Sequence, residues 1–261
     1  MFATWVGTLL LSLGVVAVWV VTLTILELVF PTSRTPWLSA LKGLTFQVIN
    51  LAVFAAIPIL MFAIITPSPL AVLQFKNLPL QPIPEIIAAL VWADFWFYWM
   101  HRIQHKWFWR FHSVHHSVEN QSALNNYHHI SEGLFHTVFK GIPASLIATE
   151  IQQPMLLLLV GAGQSVYIHS SVRLHLGPLR YLAVDNKFHR IHHSINPIHF
   201  DKNFSAVTPL WDIIFGTAYF PQKEEWPATG LADQRDVSST KEWLLRPFRA
   251  RPQQSDVTSI C

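Results

Sequence analysis

The chain has 261 residues, of which 51% are hydrophobic and only 13% are charged. Soluble domains carry about 25% charged residues, so this composition argues against an ordinary water-soluble domain and predicts extensive contact with lipid. The net charge of +3 gives no sign of a nucleic-acid partner. The one cysteine, Cys261, excludes an intrachain disulfide and a cysteine-based metal site.

The first half of the chain contains three stretches that predict membrane helices. Residues 3–30 form an apolar run with a single carboxylate, Glu27, and exceed the roughly 20 residues that cross a bilayer. Residues 45–66 form a second run. Residues 67–84 contain five prolines and predict a loop at the membrane interface. Residues 85–100 are rich in Trp, Phe and Tyr and lead directly into the first histidines.

The second half predicts one more membrane element and a polar end. Residues 133–170 are apolar but interrupted by Pro143 and Pro154, which predicts two helices that enter and leave the membrane as a hairpin. The fold class is therefore all-α, an integral-membrane bundle of about four to five helices. Three regions follow: membrane helices and a Pro-rich loop (1–84), a histidine-rich catalytic domain with the hairpin (85–220), and a peripheral polar tail (221–261).

Basic residues predict the orientation of these helices. Arg34 and Lys42 follow the first span, and Arg102, Lys106 and Arg110 follow the third, whereas no Lys or Arg precedes the first. Because cytoplasmic loops carry the excess of Lys and Arg, the N-terminus is predicted outside and the histidines on the cytoplasmic side.

The fourteen histidines all lie between His101 and His199, and eight of them form three clusters. Residues three or four apart share a helix face, so each cluster is expected to direct its imidazoles toward one point. Imidazole binds iron, zinc and copper. Eight ligands exceed the four of a tetrahedral ion, so two ions are predicted, and these ions also offset the cost of burying imidazoles together. The predicted ligands are His101, His105, His112, His115, His116, His189, His192 and His193.

Other residues are predicted to complete the site. His169 ends the hairpin on the same side and is a ninth predicted ligand. Asp94 lies two helical turns before His101, and a carboxylate within an apolar helix is expensive and usually functional. It is predicted to accept a hydrogen bond from the second ring nitrogen of a ligand. Asp212 and Asp201 are further candidates for that role.

The remaining histidines are assigned differently. His128 and His129 are expected to be pocket residues or hydrogen-bond partners of ligands, with metal binding as the less favoured alternative. His136, His175 and His199 are not expected to bind metal. Trp92, Trp96, Phe97 and Trp99 either shape an acyl channel or anchor the helix at the interface.

The region from residue 93 to 218 resembles the fatty acid hydroxylase and sterol desaturase superfamily of membrane di-iron oxygenases. The resemblance rests on the segments 94–105, 111–116 and 189–194, on Asp201-Lys-Asn-Phe204, and on Trp211-Asp-Ile-Ile-Phe-Gly-Thr217. It implies a helical membrane domain with a cytosolic di-metal cap, two iron ions, O2 as co-substrate, a hydrophobic lipid-like substrate and a separate electron-donor protein. It places the eight clustered histidines, with His169, at the ligand positions.

Two departures from the family pattern leave the substrate open. The stretch after the second cluster is Tyr127-His-His-Ile-Ser-Glu132, without the usual Arg and Pro. Asn203-Phe204-Ser205 replaces the usual Asn-Tyr-Gly. Hydroxylation of a lipid C–H bond is the function expected, with desaturation or ether-lipid oxygenation as alternatives. Small size and the lack of fused domains favour a bacterial inner membrane over the endoplasmic reticulum.

A divalent-metal transporter is the competing class. Transporters hold their ions within the spans, near the middle of the membrane. Here the histidines lie just beyond the predicted ends of the spans, which favours an enzyme.

Overall fold

A computed structural model describes residues 2–64, 73–75, 83–141, 147–149 and 154–249. Three long helices dominate: α1 (Phe2–Val29), α2 (Trp37–Ile64) and α3 (Ile83–Trp107). Within them, Leu10–Val29, Trp37–Phe54 and Ile83–Trp107 are long and apolar enough to cross a membrane. The chain is an integral membrane protein, as its composition predicts.

Shorter elements surround the ends of these helices. They are α4 (Trp109–His116), α5 (Glu132–His136) with a π-helical turn (Thr137–Gly141), α6 (Pro154–His169), α7 (Asn186–His192), α8 (Leu210–Ile214) and α9 (Thr240–Leu245). Three 3₁₀ turns cover Gly177–Tyr181, Pro197–His199 and Arg246–Phe248. Two three-residue strands, β1 (Leu73–Phe75) and β2 (Ile147–Thr149), pair in parallel with Leu73 opposite Ile147. The prediction of an all-α bundle is confirmed, with this short pair as an addition.

Two helix boundaries differ from those predicted. α2 begins at Trp37, directly after Pro36, because Ser39 and Lys42 interrupt the apolar pattern without interrupting the helix. α3 continues past Met100 to Trp107, so the first histidine cluster lies on the membrane helix itself. The turn of the predicted hairpin and most of the Pro-rich loop lie outside the described residues.

α1 packs along α6 and ties it to the loops around the histidines. Trp19 Nε1 donates to the carbonyl of Leu159 at 2.9 Å, and a side chain at Gly163 would overlap the indole of Trp19. At the end of α1, Glu27 accepts the backbone N–H groups of Ala123 and Ser171 at 2.9 and 2.6 Å. This carboxylate therefore positions the chain immediately after α6.

The C-terminal segment is packed against the bundle up to Arg249. Trp243 is 1% exposed, stacks on Phe46 at 4.8 Å and donates its Nε1 to the carbonyl of His128. Asp236 accepts Lys42 Nζ at 2.6 Å and also the hydroxyl of Tyr127. This part of the predicted tail therefore packs against the protein through a few buried side chains. Residues 250–261 lie outside the described residues, and the three-region division stays a prediction.

Candidate metal centre

The fold brings the nine predicted histidines into two adjacent groups, called site A and site B. Within each group, one ligand atom per residue lies within 4.8 Å of every other. The imidazole centroids of His116 and His193 are 4.4 Å apart, so the two sites touch. Site A contains His101, His105, His112, His116 and His192, and site B contains His115, His169, His189 and His193.

The two three-histidine clusters divide between the sites. In each cluster the residues four apart stay together: His112 and His116 in site A, His189 and His193 in site B. The middle histidine of each cluster, His115 or His192, turns to the other site. It lies about 100° around the helix from the histidine that follows it. The expectation that each cluster points to one position is therefore wrong for these two clusters. Both clusters instead contribute to both sites.

Short helices hold these side chains in place. The Asp185 carboxylate accepts the N–H of Phe188 at 2.8 Å and so caps α7 just before His189. α6 ends at His169, α4 carries the second cluster, and α3 carries His101 and His105 one turn apart. Four separate elements therefore converge on the paired sites.

The hydrogen bonds made by Nδ1 determine which nitrogen of each imidazole faces the interior of its site. In site A, His101 Nδ1–H donates to the carbonyl of Phe204 at 2.7 Å and His192 Nδ1–H to that of Lys202 at 2.8 Å. In site B, His115 Nδ1–H donates to Tyr127 at 3.0 Å and His169 Nδ1–H to Ser165 at 2.7 Å. A carbonyl can only accept, so each of these neutral rings presents the lone pair of Nε2 to the interior.

Those inward lone pairs face one another at short range. His101 Nε2 lies 2.9 Å from His112 Nε2, and His115 Nε2 lies 3.1 Å from His169 Nε2. Within the described chain, the buried Nε2 of His192 has no hydrogen-bond partner. Opposed lone pairs repel unless a cation lies between them, and nitrogens each ~2.1 Å from one ion are roughly 3–4 Å apart. The residues present therefore fit one metal ion per site.

Site A also carries two carboxylates. The buried carboxylate of Glu132 accepts His112 Nδ1–H at 3.1 Å and Gln104 Nε2–H at 2.5 Å. Burial raises the pKa of Glu132 to about 7. At the solvent edge, Asp201 accepts His105 Nδ1–H at 3.3 Å, and this hydrogen bond lowers the pKa of Asp201. Glu132 was not predicted, although it closes the stretch that follows the second cluster.

Asp94 does not have the predicted contact with a ligand ring. Its two oxygens accept the backbone N–H groups of Ala206, Val207 and Thr208 at 2.9–3.0 Å. The predicted role falls to Glu132 and Asp201, which accept from ligand rings, so that part of the prediction is wrong for Asp94. The reason is that helical periodicity places Asp94 on the same face of α3 as His101 but does not show which loop packs against that face.

Asp212 acts on the site through the backbone. It accepts the N–H groups of Phe204 and Ser205 at 2.8 and 2.9 Å and the hydroxyl of Thr217 at 2.6 Å. The carbonyl of Phe204 is the acceptor for His101. Asp212 therefore orients the peptide group between Phe204 and Ser205, whose carbonyl fixes the tautomer of His101.

The other histidines lie outside the two groups. The ring of His128 stacks on His115 at 3.7 Å, and His136 lies 5.2 Å from Phe54. His129 contacts Ser131 and Leu244, and His175 contacts Asn186. Burial lowers the pKa of the predicted ligands that lie beyond the spans, which keeps them neutral and able to bind a cation; these are His112, His115, His116, His189, His192 and His193.

The sequence pattern of the fatty acid hydroxylase family matches residues 86–217, about half of the chain. This chain belongs to the fatty acid hydroxylase family. The match covers α3 through α8 and therefore both sites. No solved structure matches the chain significantly.

Several curated proteins are similar in sequence to this chain. Human alkylglycerol monooxygenase is 32% identical over 166 residues, which are 59% of this chain and 35% of the relative. An ornithine lipid hydroxylase of Rhizobium tropici is 29% identical over 150 residues, 56% of this chain and 45% of the relative. A putative methylsterol monooxygenase of Dictyostelium discoideum is 28% identical over 209 residues, 74% and 73% of the two chains. The chain thus spans about a third of the alkylglycerol monooxygenase and under half of the ornithine lipid hydroxylase.

Proposed function

We propose that the protein is a membrane oxygenase that hydroxylates an unactivated C–H bond of a lipid-like substrate. The observation that carries the proposal is the pair of histidine sites whose Nε2 lone pairs face inward. Two iron ions held by the nine histidines would supply the O2 activation and C–H oxidation. Electrons would come from a separate donor protein. The names of the relatives, which include hydroxylases and monooxygenases of lipids, support this reaction class.

The protein's own groups would hold and orient the reactants. Glu132, Asp201 and the loop carbonyls keep Nδ1 protonated, so that Nε2 remains the binding atom. Phe97, at 5.2 Å from His101, and His128, stacked on His115, lie beside the two sites and are half-buried. We propose that the substrate chain approaches along this wall, where the phenyl ring of Phe97 helps to exclude water from the reacting carbon.

The cytoplasmic orientation of the sites remains part of the proposal, supported by the positions of the basic residues. A bacterial inner membrane also remains part of the proposal. Ether lipids are a second candidate substrate class, favoured by the similarity to alkylglycerol monooxygenase. Desaturation would use the same sites. Metal transport receives less support, because three of the predicted ligands lie at the ends of α3 and α6 and the other six lie on or next to the short helices α4 and α7.

Lipid profiling tests the proposal. Cells expressing the wild-type chain are compared with cells expressing His192→Ala, and with His175→Ala as a matched control outside both sites. We expect an oxygenated lipid in the wild type and the control, and its loss in His192→Ala. The purified wild type should hold two iron ions. An unchanged lipid profile in every sample, with metal accumulation that depends on His192, would replace the oxygenase by a transporter.

A further inference from the structure

Two loops of the described chain lie beside α3 and α6 instead of beyond their ends. We call them the rim loops, residues 177–184 and 206–214. Asp94 of α3 accepts the three N–H groups of residues 206–208. Gln164 of α6 donates to the carbonyls of Val184 and Ala206 at 2.7 and 2.9 Å. The N–H of Val184 donates to the carbonyl of Val207 at 2.9 Å, which joins the two loops.

The helix positions of these contacts give the depth of the rim loops. Asp94 precedes His101 on α3, and Gln164 precedes His169 on α6. At 1.5 Å per residue, the contacts lie roughly 10 Å and 8 Å from those histidines, toward the membrane. Trp211 of α8 reaches further along α3, because its Nε1 donates to the carbonyl of Val91 at 3.2 Å. The rim loops therefore run at the level of the spanning part of α3.

The outward side of both rim loops is apolar. On α8, Leu210, Ile213 and Ile214 are exposed, whereas Asp212 is buried toward the protein. In the other rim loop, Leu179 and Leu182 are 58% and 71% exposed. Apolar side chains gathered on one surface mark a contact with a partner or a membrane. The continuity of this surface with α3 points to lipid.

The polar contacts explain how loops can lie at this depth. Irregular backbone in a membrane is tolerated only where its N–H and C=O groups have partners. Asp94 and Gln164 are polar residues on apolar helices, and both supply such partners to the rim loops. These contacts explain the presence of Asp94 and Gln164 on apolar helices without a role in metal binding.

We propose that the rim loops are immersed in the bilayer interface, where Leu182 and Ile213 contact lipid acyl chains. The two sites then lie close to the membrane surface, since Phe204, which accepts from His101, lies two residues before the second rim loop. The proposal concerns the position of the chain in the membrane and does not depend on which reaction the sites carry out.

Depth-dependent fluorescence quenching tests the proposal. In a Cys261→Ser background, which has no other cysteine, a single cysteine is introduced as Leu182→Cys or Ile213→Cys and labelled with bimane. The protein is reconstituted in phosphatidylcholine vesicles with or without doxyl-labelled lipid. Leu28→Cys on the exposed side of α1 is the lipid control, and Asp233→Cys is the aqueous control. Leu179→Cys and Leu210→Cys provide a second label in each loop if one variant is poorly produced.

We expect the labels in both rim loops to lose fluorescence with doxyl lipid as the Leu28 label does, and to be protected from aqueous iodide. The Asp233 label should behave in the opposite way. Quenching by iodide without quenching by lipid would overturn the proposal. Protection from both quenchers would also overturn it, because it would mean that a protein partner or a second copy covers this surface.

Discussion

Glu132→Ala is the most informative single change at the candidate metal centre. Glu132 is 1% exposed, and its two oxygens accept His112 Nδ1–H at 3.1 Å and Gln104 Nε2–H at 2.5 Å. Removing the carboxylate leaves two buried donors without an acceptor. It also frees the ring of His112 to move its proton to Nε2, the atom that faces His101 in site A.

The expected magnitude follows from these contacts. Loss of a hydrogen-bond partner behind a metal-binding histidine costs about 10–100-fold in metal affinity, or roughly 1.4–2.7 kcal/mol. We expect this loss in site A and little change in site B. Each buried donor left without an acceptor costs about 1–3 kcal/mol of unfolding free energy. Glu132→Gln should lose less metal affinity and less stability than Glu132→Ala. In the wild type the side-chain oxygen of Gln104 has no partner, and in this variant it can rotate to accept from the new amide.

Equilibrium metal binding provides the assay. Metal-free protein in detergent is dialysed against graded concentrations of ferrous iron, and bound metal per chain is measured by mass spectrometry for wild type, Glu132→Ala, Glu132→Gln and the exposed control Glu224→Ala. One of the two binding steps should weaken in Glu132→Ala alone. Two steps with wild-type affinity, or equal weakening of both, would refute the assigned link between Glu132 and site A.

Three further changes test other contacts. Burial lowers the pKa of the six candidate ligands beyond the spans, so below about pH 6.5 the unfolded chain binds more protons than the folded chain. The free energy of unfolding should therefore fall by about 1.4 kcal/mol for each histidine with every unit that the pH decreases below this value. Thermal melts of the metal-free protein should therefore shift downward as pH falls through this value, and a midpoint independent of pH would contradict the assigned burial. Asp201→Ala should weaken metal binding less than Glu132→Ala, by under ~1 kcal/mol in the same dialysis assay, since Asp201 is 58% exposed. Trp243→Ala should cost about 3–5 kcal/mol of unfolding free energy, measured by melts against Trp243→Phe, which keeps the stack on Phe46; equal melting of the two would show that the stack contributes little.

The sequence alone was sufficient for the local features of this protein. Helix formation and membrane contact depend on composition over about 20 neighbouring residues, and so α1 and α3 could be recognised directly. The spacing of the histidine clusters is equally local, and it identified eight of the nine members of the two sites; the ninth, His169, was predicted from its place at the end of the hairpin. In each case the property is contained in a short stretch of chain.

Tertiary structure decided how those residues are combined. The division of each three-histidine cluster between sites A and B depends on how α3, α4, α6 and α7 cross, which helical periodicity does not contain. The acceptors behind His101 and His115 are backbone carbonyls, which every residue carries and no sequence pattern marks. Asp94 was visible as an anomaly, but its partners at residues 206–208 are more than a hundred residues away. Contacts between distant segments are selected by packing of the whole chain, and for that reason only the fold assigns them.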